Sequence, residues 1–326
     1  MPFLRLFSSF HKLHLLWGTW LLQLLQPGWS SQVLAQPSPA LGTPLQGVVV
    51  DSLTHRPLSF SSLSLLRQPL GTVADAAGRF QLAVRTGHEA DSLCVSLVGY
   101  AARTLPLAEW RQQLARAGGL LALRPQLVVL PSAQVTGHPL VRRTVGDASD
   151  SKRTFYWLDD NSPGNQVGGF IPVKRPSWLE AISFHVAACS YDSLFLRVNV
   201  YALRASFPAA ALLPVPVYLR LARTQLRDRV VVDLRPYHLW LPDDVVVALE
   251  ILRPLGPGTL CFSASHGQGP LYFVDKPGDG RNHNTPPRGT VNNRHEPQQL
   301  PDQGSEWRKW NYASVGIEAT LLQKPR

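Results

Sequence analysis

Residues 194–201 read LFLRVNVY, a stretch in which apolar side chains occupy every second position. Successive side chains of an extended strand point to opposite sides, so the stretch has two distinct faces. The apolar face consists of Leu194, Leu196, Val198 and Val200. The opposite face consists of Phe195, Arg197, Asn199 and Tyr201. This alternation predicts a β-strand with one face in a hydrophobic core.

The same period recurs on both sides of this strand. Residues 45–51 (LQGVVVD), 58–65, 230–234 and 245–251 are short apolar or alternating runs. The 28 Pro and 24 Gly residues provide frequent turn signals between such runs. Evenly spaced short strands are typical of β-sandwiches, so we predict an all-β fold.

One helix is expected within this β pattern. Trp110, Leu114 and Ala117 recur at helical spacing in residues 107–117, and the pair Gly118–Gly119 follows them. Glycine directly after a periodic segment is a common helix stop.

The first 35 residues resemble a secretory signal peptide. Arg5 and Lys12 form a basic start, residues 15–25 are apolar, and Ala35 ends a small-residue cleavage pattern. The apolar run is shorter than the roughly 20 residues that a membrane helix needs. We therefore predict a signal peptide at 1–35 and a flexible lead at 36–44, with a retained N-terminal anchor as the alternative. The protein is predicted to be exported to the periplasm, the cell surface or the extracellular space.

Composition limits the classes of partner. Hydrophobic residues make up 44% of the chain, which is enough for a core. The formal net charge is +10, and removal of Arg5 and Lys12 with the leader gives 10 − 2 = +8. The basic residues are scattered and form no block of like charge, whereas nucleic-acid binding needs a clustered patch. We predict no nucleic-acid partner; weak attraction to an anionic surface polymer stays open.

The three cysteines lie in apolar, strand-like runs. Cys94, Cys189 and Cys261 form no CxxC motif, and buried free cysteine behaves as a small hydrophobic residue. In an oxidising compartment Cys189 and Cys261 could instead close a disulfide. The sequence leaves both readings open.

Three motifs carry a family resemblance. They are GVVVD at 47–51, GTVADAAGRF at 71–80 and VSLVGY at 95–100. As a set they resemble the carboxypeptidase-like regulatory domain, a transthyretin-like (prealbumin-like) β-sandwich common in exported bacterial proteins. The resemblance implies such a sandwich over residues 45–136, and the helix near Trp110 departs from its usual pattern.

Five residues of these motifs have expected structural roles. Asp75 is expected to cap a tight turn, Gly78 to adopt a positive φ, and Phe80 to fill the sandwich core. Gly99 is expected to let its strand kink before Tyr100.

The rest of the chain is predicted to form a linker and a second domain. Residues 137–165 are polar and resemble a linker, while 166–322 predict a second β-sandwich, with a jelly roll as one arrangement. This half is similar, more loosely, to the C-terminal half of uncharacterised exported proteins. Residues 275–306 predict a long loop rich in Pro, Gly and Asn, and loops of this length are either functional or disordered.

The sequence contains no recognisable catalytic motif. Neither the HExxH pattern of zinc peptidases nor the GxSxG elbow of serine hydrolases occurs. A metal site could use Asp275, Asp279, His283 and His295, but their spacing matches no calcium loop. We therefore predict no catalytic residue, no metal ligand and no cofactor.

Two groups of residues are the candidate ligand contacts. Arg197, Asn199 and Tyr201 project from one strand face, and Trp307 and Trp310 form an aromatic cluster. Aromatic side chains serve both sugar stacking and partner anchoring. The alternatives are a structural salt bridge of Arg197 with a carboxylate of a neighbouring strand, and core packing of the tryptophans.

The prediction for function follows from these groups. We expect a non-catalytic binding or interaction protein of the bacterial cell envelope, with an envelope protein or a glycan as its partner. A carbohydrate-binding module is the first alternative, and an envelope hydrolase acting on peptide or glycan is the second. The mature chain is expected to contain no transmembrane segment.

Overall fold

Strands make up most of the structure, as the alternating sequence predicts. The computed structural model describes residues 42–68, 70–85, 87–126, 139–158, 163–227, 229–256, 258–267, 269–274, 298–299 and 307–325. The all-β prediction is confirmed over these residues.

The N-terminal part, which begins at Leu45 and ends near residue 126, consists of two sheets and one helix. Its strands are β1 (Leu45–Asp51), β2 (Ser62–Leu65), β3 (Gly71–Val73), β4 (Arg79–Leu82), β5 (Ser92–Ser96), β6 (Arg103–Pro106) and β7 (Leu120–Leu123). Helix α1 (Leu107–Arg116) begins where predicted and ends one residue earlier, and a 3-10 turn spans His88–Ala90. One sheet has the order β4-β1-β7, with β1 and β7 parallel, and the other has the order β3-β2-β5-β6.

A separate hydrophobic core lies between these two sheets. It contains Val49, Phe80, Leu93 and Leu121, and α1 adds Trp110. The indole Nε1 of Trp110 donates to the carbonyl oxygen of Leu93 at 2.9 Å, so the polar atom of this fully buried side chain is satisfied. We call this part of the chain the N-terminal sandwich.

The turn before β4 has the predicted geometry. Asp75 Oδ1 accepts hydrogen bonds from the backbone N–H groups of Ala77 and Arg79, both at 2.8 Å. Gly78 has φ +71°, and a Cβ on it would lie 2.7 Å from the carbonyl oxygen of Val49. Phe80 is buried two residues later, so the turn delivers this ring to the core.

The kink predicted at Gly99 is also present. Gly99, which lies shortly after the end of β5, has φ +85°. The hydroxyl of Tyr100 then donates to Asp51 Oδ2 at 2.9 Å, which joins this segment to the end of β1. Burial and the neighbouring Asp51 raise the pKa of Tyr100 to about 12, so its hydroxyl remains a donor at neutral pH.

The remaining strands form three further sheets. They are β8 (Val141–Gly146), β9 (Phe155–Leu158), β10 (Gln166–Ile171), β11 (Ser177–Phe184), β12 (Val186–Cys189), β13 (Ser193–Arg204), β14 (Phe207–Ala211), β15 (Val217–Ala222), β16 (Val230–Asp233), β17 (Leu239–Leu241), β18 (Val245–Leu255), β19 (Leu260–His266), β20 (Leu271–Val274), β21 (Gln298–Gln299), β22 (Arg308–Trp310), β23 (Ala313–Val315) and β24 (Ile317–Gln323). Two 3-10 turns span Arg223–Leu226 and Arg235–Tyr237.

The three sheets pack as a second sandwich. The large sheet has the order β14-β13-β18-β10-β20-β22-β21, with β15 also on β13. Facing it are a sheet with the order β16-β11-β24-β8 and a sheet with the order β12-β19-β23. The core between them includes Leu196, Val247, Ile182 and Phe262. The apolar face predicted for residues 194–201 therefore points into this core.

The segment predicted as a linker, 137–165, instead contains two strands. β8 pairs with β24 and β9 pairs with β19. β8 carries Arg142 and Arg143 and is an edge strand of its sheet within the described residues. Exposed edge strands commonly carry charged side chains, which is why this one resembled a linker in the sequence.

Several predicted boundaries lie outside the described residues. These include the signal peptide at 1–35, most of the lead at 36–44, and the loop at 275–306 apart from Gln298–Gln299 within it. Both sandwich cores lie in one compact unit of the chain, residues 39–326. The domain boundary predicted at residue 136 stays a prediction. No helix among the described residues is long and apolar enough to cross a membrane.

The three cysteines, all of which lie within the described residues, form no disulfide, including the pair that could have formed one. Cys189 pairs with Leu260, and Cys261 pairs with Ala188. Directly paired residues share a face and adjacent residues alternate, so the two thiols project from opposite sides of the sheet. Burial raises the pKa of the Cys261 thiol to about 11, which keeps it protonated.

Substitution of Gly78 tests the turn that positions Phe80. Gly78→Ala is expected to destabilise the protein more than Gly87→Ala, because both glycines have positive φ but only Gly78 lacks room for a Cβ. The left-handed conformation alone costs about 1–2 kcal/mol for a non-glycine residue. Urea unfolding midpoints measure the difference, and equal midpoints for the two variants would contradict the close contact with Val49.

Candidate binding cleft and buried polar cluster

The face of β13 opposite the core lies on the outer side of the large sheet. The alternation correctly predicts which residues share this face, including Arg197, Asn199 and Tyr201. Cross-strand pairing places Glu250 of β18 opposite Arg197, and Gln166 of β10 opposite Glu250. Three neighbouring strands therefore bring polar side chains together on one face.

Arg197 is the centre of this group. Its Nε and Nη2 donate to Glu250 Oε2 at 2.9 and 2.6 Å. Its Nη2 also donates to Ser62 Oγ at 2.6 Å, and its Nη1 donates to the carbonyl oxygen of Phe60 at 2.7 Å. Arg197 is 3% exposed and Glu250 is 0% exposed. The guanidinium thus connects the large sheet to the N-terminal sandwich in the interior of the protein.

The amide side chains extend this network. Asn199 Nδ2 donates to Glu250 Oε2 at 2.8 Å and to Gln166 Oε1 at 3.0 Å. The hydroxyl of Tyr201 donates to the same Gln166 oxygen at 3.0 Å. Among the described residues, Asn199 Oδ1 is buried without a hydrogen-bond partner. We call these connected side chains the buried polar cluster, which consists of Ser62, Gln166, Arg197, Asn199 and Glu250.

The charges of this cluster stabilise each other. Burial lowers the pKa of Arg197, but the Glu250 carboxylate and the nearby Tyr201 and Tyr218 raise it, and the net direction of the pKa shift is upward. Asp233, a carboxylate on another strand, does not contact Arg197. Asp233 instead forms an exposed ion pair with Arg235 at 2.7 Å.

Phe60 explains why the N-terminal sandwich meets the large sheet at this point. It has φ +59°, unusual for a bulky side chain, and β2 begins only at Ser62 rather than at residue 58 as predicted. The ring of Phe60 makes edge contacts with Phe195 and Tyr218, at centroid distances of 4.8 and 5.5 Å. The turn therefore places its ring and its carbonyl oxygen against β13 and β15.

The two predicted tryptophans do not form a pair. Trp307 is buried on the outer side of the large sheet, with its ring 5.3 Å from that of Tyr201. Trp310 is buried in the sandwich core against Tyr156 and Phe273. Residues three apart along an extended chain point to opposite faces, which separates the two indoles.

The five predicted ligand contacts are therefore not an exposed stripe. Four of them are buried and Tyr201 is partly buried. Alternation identifies the face of a strand but not what covers it, and here the N-terminal sandwich and a small apolar cluster cover the face. That cluster consists of Phe207, Val246, Ala248, Tyr272, Val274 and Trp307.

A cleft of about 950 Å³ lies further along the large sheet. Its lining comes from β10, β13, β18, β20 and β22 and the loops beside them. The lining residues are Phe170, Pro172, Val173, Lys174, Ala202, Leu203, Ser206, Leu212, Pro242, Asp243, Asp244, Val245, Pro270, Tyr272 and Lys309. Sequence reasoning missed this site because its residues come from distant segments of the chain.

Four charged side chains line the cleft: Lys174, Lys309, Asp243 and Asp244. None of them belongs to an ion pair among the described residues. Lys309 Nζ lies 5.8 Å from the ring centroid of Tyr272 and 5.9 Å from that of Phe207. Asp244 Oδ1 accepts the backbone N–H of Val173 at 2.7 Å, which fixes the loop that carries Lys174.

Tyr272 forms part of the floor of the cleft. It is fully buried, and its hydroxyl donates to the carbonyl oxygen of Ser206 at 3.0 Å. Burial, with Asp244 nearby, raises the pKa of Tyr272 to about 12. Its phenol is therefore neutral at pH 7 and holds the β13–β14 turn in place.

A buried Ser–His contact occurs on the other side of the sandwich. His185 Nδ1 lies 2.6 Å from Ser263 Oγ, and Ser263 Oγ donates to the carbonyl oxygen of Ser151 at 2.8 Å. Because that bond uses the hydroxyl proton, Ser263 accepts from His185, and both side chains hold the segment around Ser151. Within the described residues, no group of three or more His, Cys, Asp or Glu side chains could hold a metal ion.

Comparisons with known proteins do not assign a family. No protein-family model matches the chain, and no curated protein matches it. Among solved structures, a match is the "Structure of infectious bursal disease virus Gx strain", with 10% sequence identity and a TM-score of 0.20. That match covers 90% of this chain and 68% of the viral chain.

A double-mutant cycle tests the buried ion pair. Arg197→Met is expected to destabilise the protein by about 3–5 kcal/mol, because it leaves the Glu250 carboxylate buried and unpaired. Arg197→Met with Glu250→Leu should cost less than the sum of the two single substitutions. Urea unfolding measures all three free energies. Additive effects would contradict a direct interaction of the two charges.

Proposed function

We propose that this protein is an exported, non-catalytic binding protein of the bacterial cell envelope, and that its ligand occupies the cleft on the large sheet. The proposal rests on one observation: the cleft is concave and is lined by four charged side chains. None of the four forms an ion pair with another described residue. Ligand sites are typically concave and combine apolar walls with a few polar groups that orient the ligand.

The rigidity of the surroundings supports this assignment. Phe170, Leu203, Val245 and Tyr272 come from strands of one sheet, so their relative positions are fixed by backbone hydrogen bonds. A preformed site binds with a smaller ordering cost than a site made of loops. The Asp244 contact with Val173 extends this order to one loop at the rim.

The N-terminal sandwich has a supporting role in this proposal. Arg197 and Asn199, the first candidates for ligand contact, bind groups of the protein itself. They attach the sandwich to one part of the outer face, and the cleft lies on another part. Recognition is therefore assigned to the cleft and not to the buried polar cluster.

Export and the envelope setting rest on the sequence. Residues 1–35 have the pattern of a secretory signal peptide. The motifs in 47–100 resemble a domain common in exported bacterial proteins. Both features support a ligand that is available outside the cytoplasm.

Photo-crosslinking in the native envelope tests the proposal. A photoreactive amino acid at Leu203, in the cleft, should give a discrete adduct after irradiation of the full-length protein expressed in its own host. The same amino acid at Val231, which is exposed on β16 and does not line the cleft, serves as the control. Mass spectrometry then identifies the captured molecule.

The adduct pattern decides the outcome. An adduct at Leu203 that is absent at Val231 supports a ligand in the cleft. Identical adducts at both positions, or no adduct at Leu203, would overturn the proposal.

A further inference from the structure

We infer that the cleft binds an acidic saccharide, a hydroxylated sugar ring bearing a carboxylate. This inference rests on the proposed function, because it names the class of ligand for the same site. Three observations carry it: a cation held against aromatic rings, apolar walls beside it, and carboxylates at the rim.

Lys309 is the anion-binding group of the cleft. Its ammonium lies near the rings of Tyr272 and Phe207 and is not in an ion pair among the described residues. Lys309 is also partly buried, and it pairs directly with Tyr272 across β20 and β22. Partial burial strengthens its attraction for an anionic group because less water screens the interaction. Lys174, exposed on the neighbouring loop, adds a second positive charge.

The walls beside Lys309 suit the apolar face of a sugar ring. Phe170 and Leu203 are partly exposed side chains of β10 and β13, and Pro172 and Pro270 flank them. Rigid aromatic and aliphatic surfaces contact the C–H faces of saccharides while their hydroxyls remain free to form hydrogen bonds. A volume of about 950 Å³ lies at the upper end of the range for small-molecule sites, so the cleft has room for more than one ring.

The carboxylates disfavour a ligand whose negative charges are closely spaced. Asp243 and Asp244 are exposed at the rim, and both line the cleft together with the lysines. A polyphosphate or another densely charged polyanion would be repelled by them. Sugar hydroxyls, by contrast, donate hydrogen bonds to carboxylates, and an isolated carboxylate on the ring accepts from Lys309. The mixture of charges therefore favours a hydroxyl-rich ligand with separated acidic groups.

Binding of a defined saccharide pair tests the inference. The purified full-length protein is titrated in a calorimeter with trigalacturonic acid and with its fully methyl-esterified form. The acid is expected to bind at least about tenfold more tightly than the ester, because the ester lacks the charge that Lys309 recognises. The preference should decrease as salt concentration rises.

Three variants assign the binding to individual groups. Lys309→Met should remove the preference for the acid, while Lys152→Met, an exposed lysine outside the cleft, should leave it unchanged. Phe170→Ala should weaken binding of the acid and of the ester alike, because it removes a wall and not a charge. Circular dichroism of each variant confirms that the fold is retained.

The outcomes separate this inference from the proposed function. Equal affinity for the acid and the ester, no binding of either, or a preference that survives Lys309→Met would overturn the acidic-saccharide inference. If the Leu203 photo-adduct is then a peptide, the cleft is still a binding site and the proposed function stands. If Leu203 gives no specific adduct, both fail together.

Discussion

The buried guanidinium of Arg197 is the constraint on which the arrangement of this protein depends. A charged group removed from water must find its hydrogen-bond partners inside the protein, because an unpaired buried charge is very costly. Arg197 finds them on Glu250 of the same sheet and on Phe60 and Ser62 of the N-terminal sandwich. Since these partners belong to separate sheets, the ion pair specifies how the sandwich meets the large sheet.

This constraint divides the outer face of the large sheet into regions with different roles. Near Arg197 the face is covered by the N-terminal sandwich, and around Trp307 it is covered by a small apolar cluster. The cleft lies along the same sheet, beside Leu203 and Lys309. Tyr272 links the last two regions, since it belongs to the apolar cluster and also lines the cleft. The contact with the N-terminal sandwich and the proposed binding site are therefore carried by the same sheet.

Local patterns predicted much of the fold because they depend on neighbouring residues. The Asp75–Gly78 turn, α1 and the two faces of β13 all follow from short-range geometry. Burial of Arg197 could not be read in this way, because Phe60 and Ser62, which bind its guanidinium, lie more than 130 positions away in the chain. The cleft was hidden for the same reason: its lysines and carboxylates meet only after distant strands pair.

Hydrogen exchange of the full-length protein in increasing urea tests most directly whether the buried polar cluster joins the two sandwiches into one structure. We expect that the slowest amides of β2 and β13 exchange through a common opening with the same free energy and the same urea dependence. Exchange of β2 through a separate opening of lower free energy, while β13 remains protected, would contradict it. The N-terminal sandwich would then be an independent module, and Arg197 would not determine the architecture.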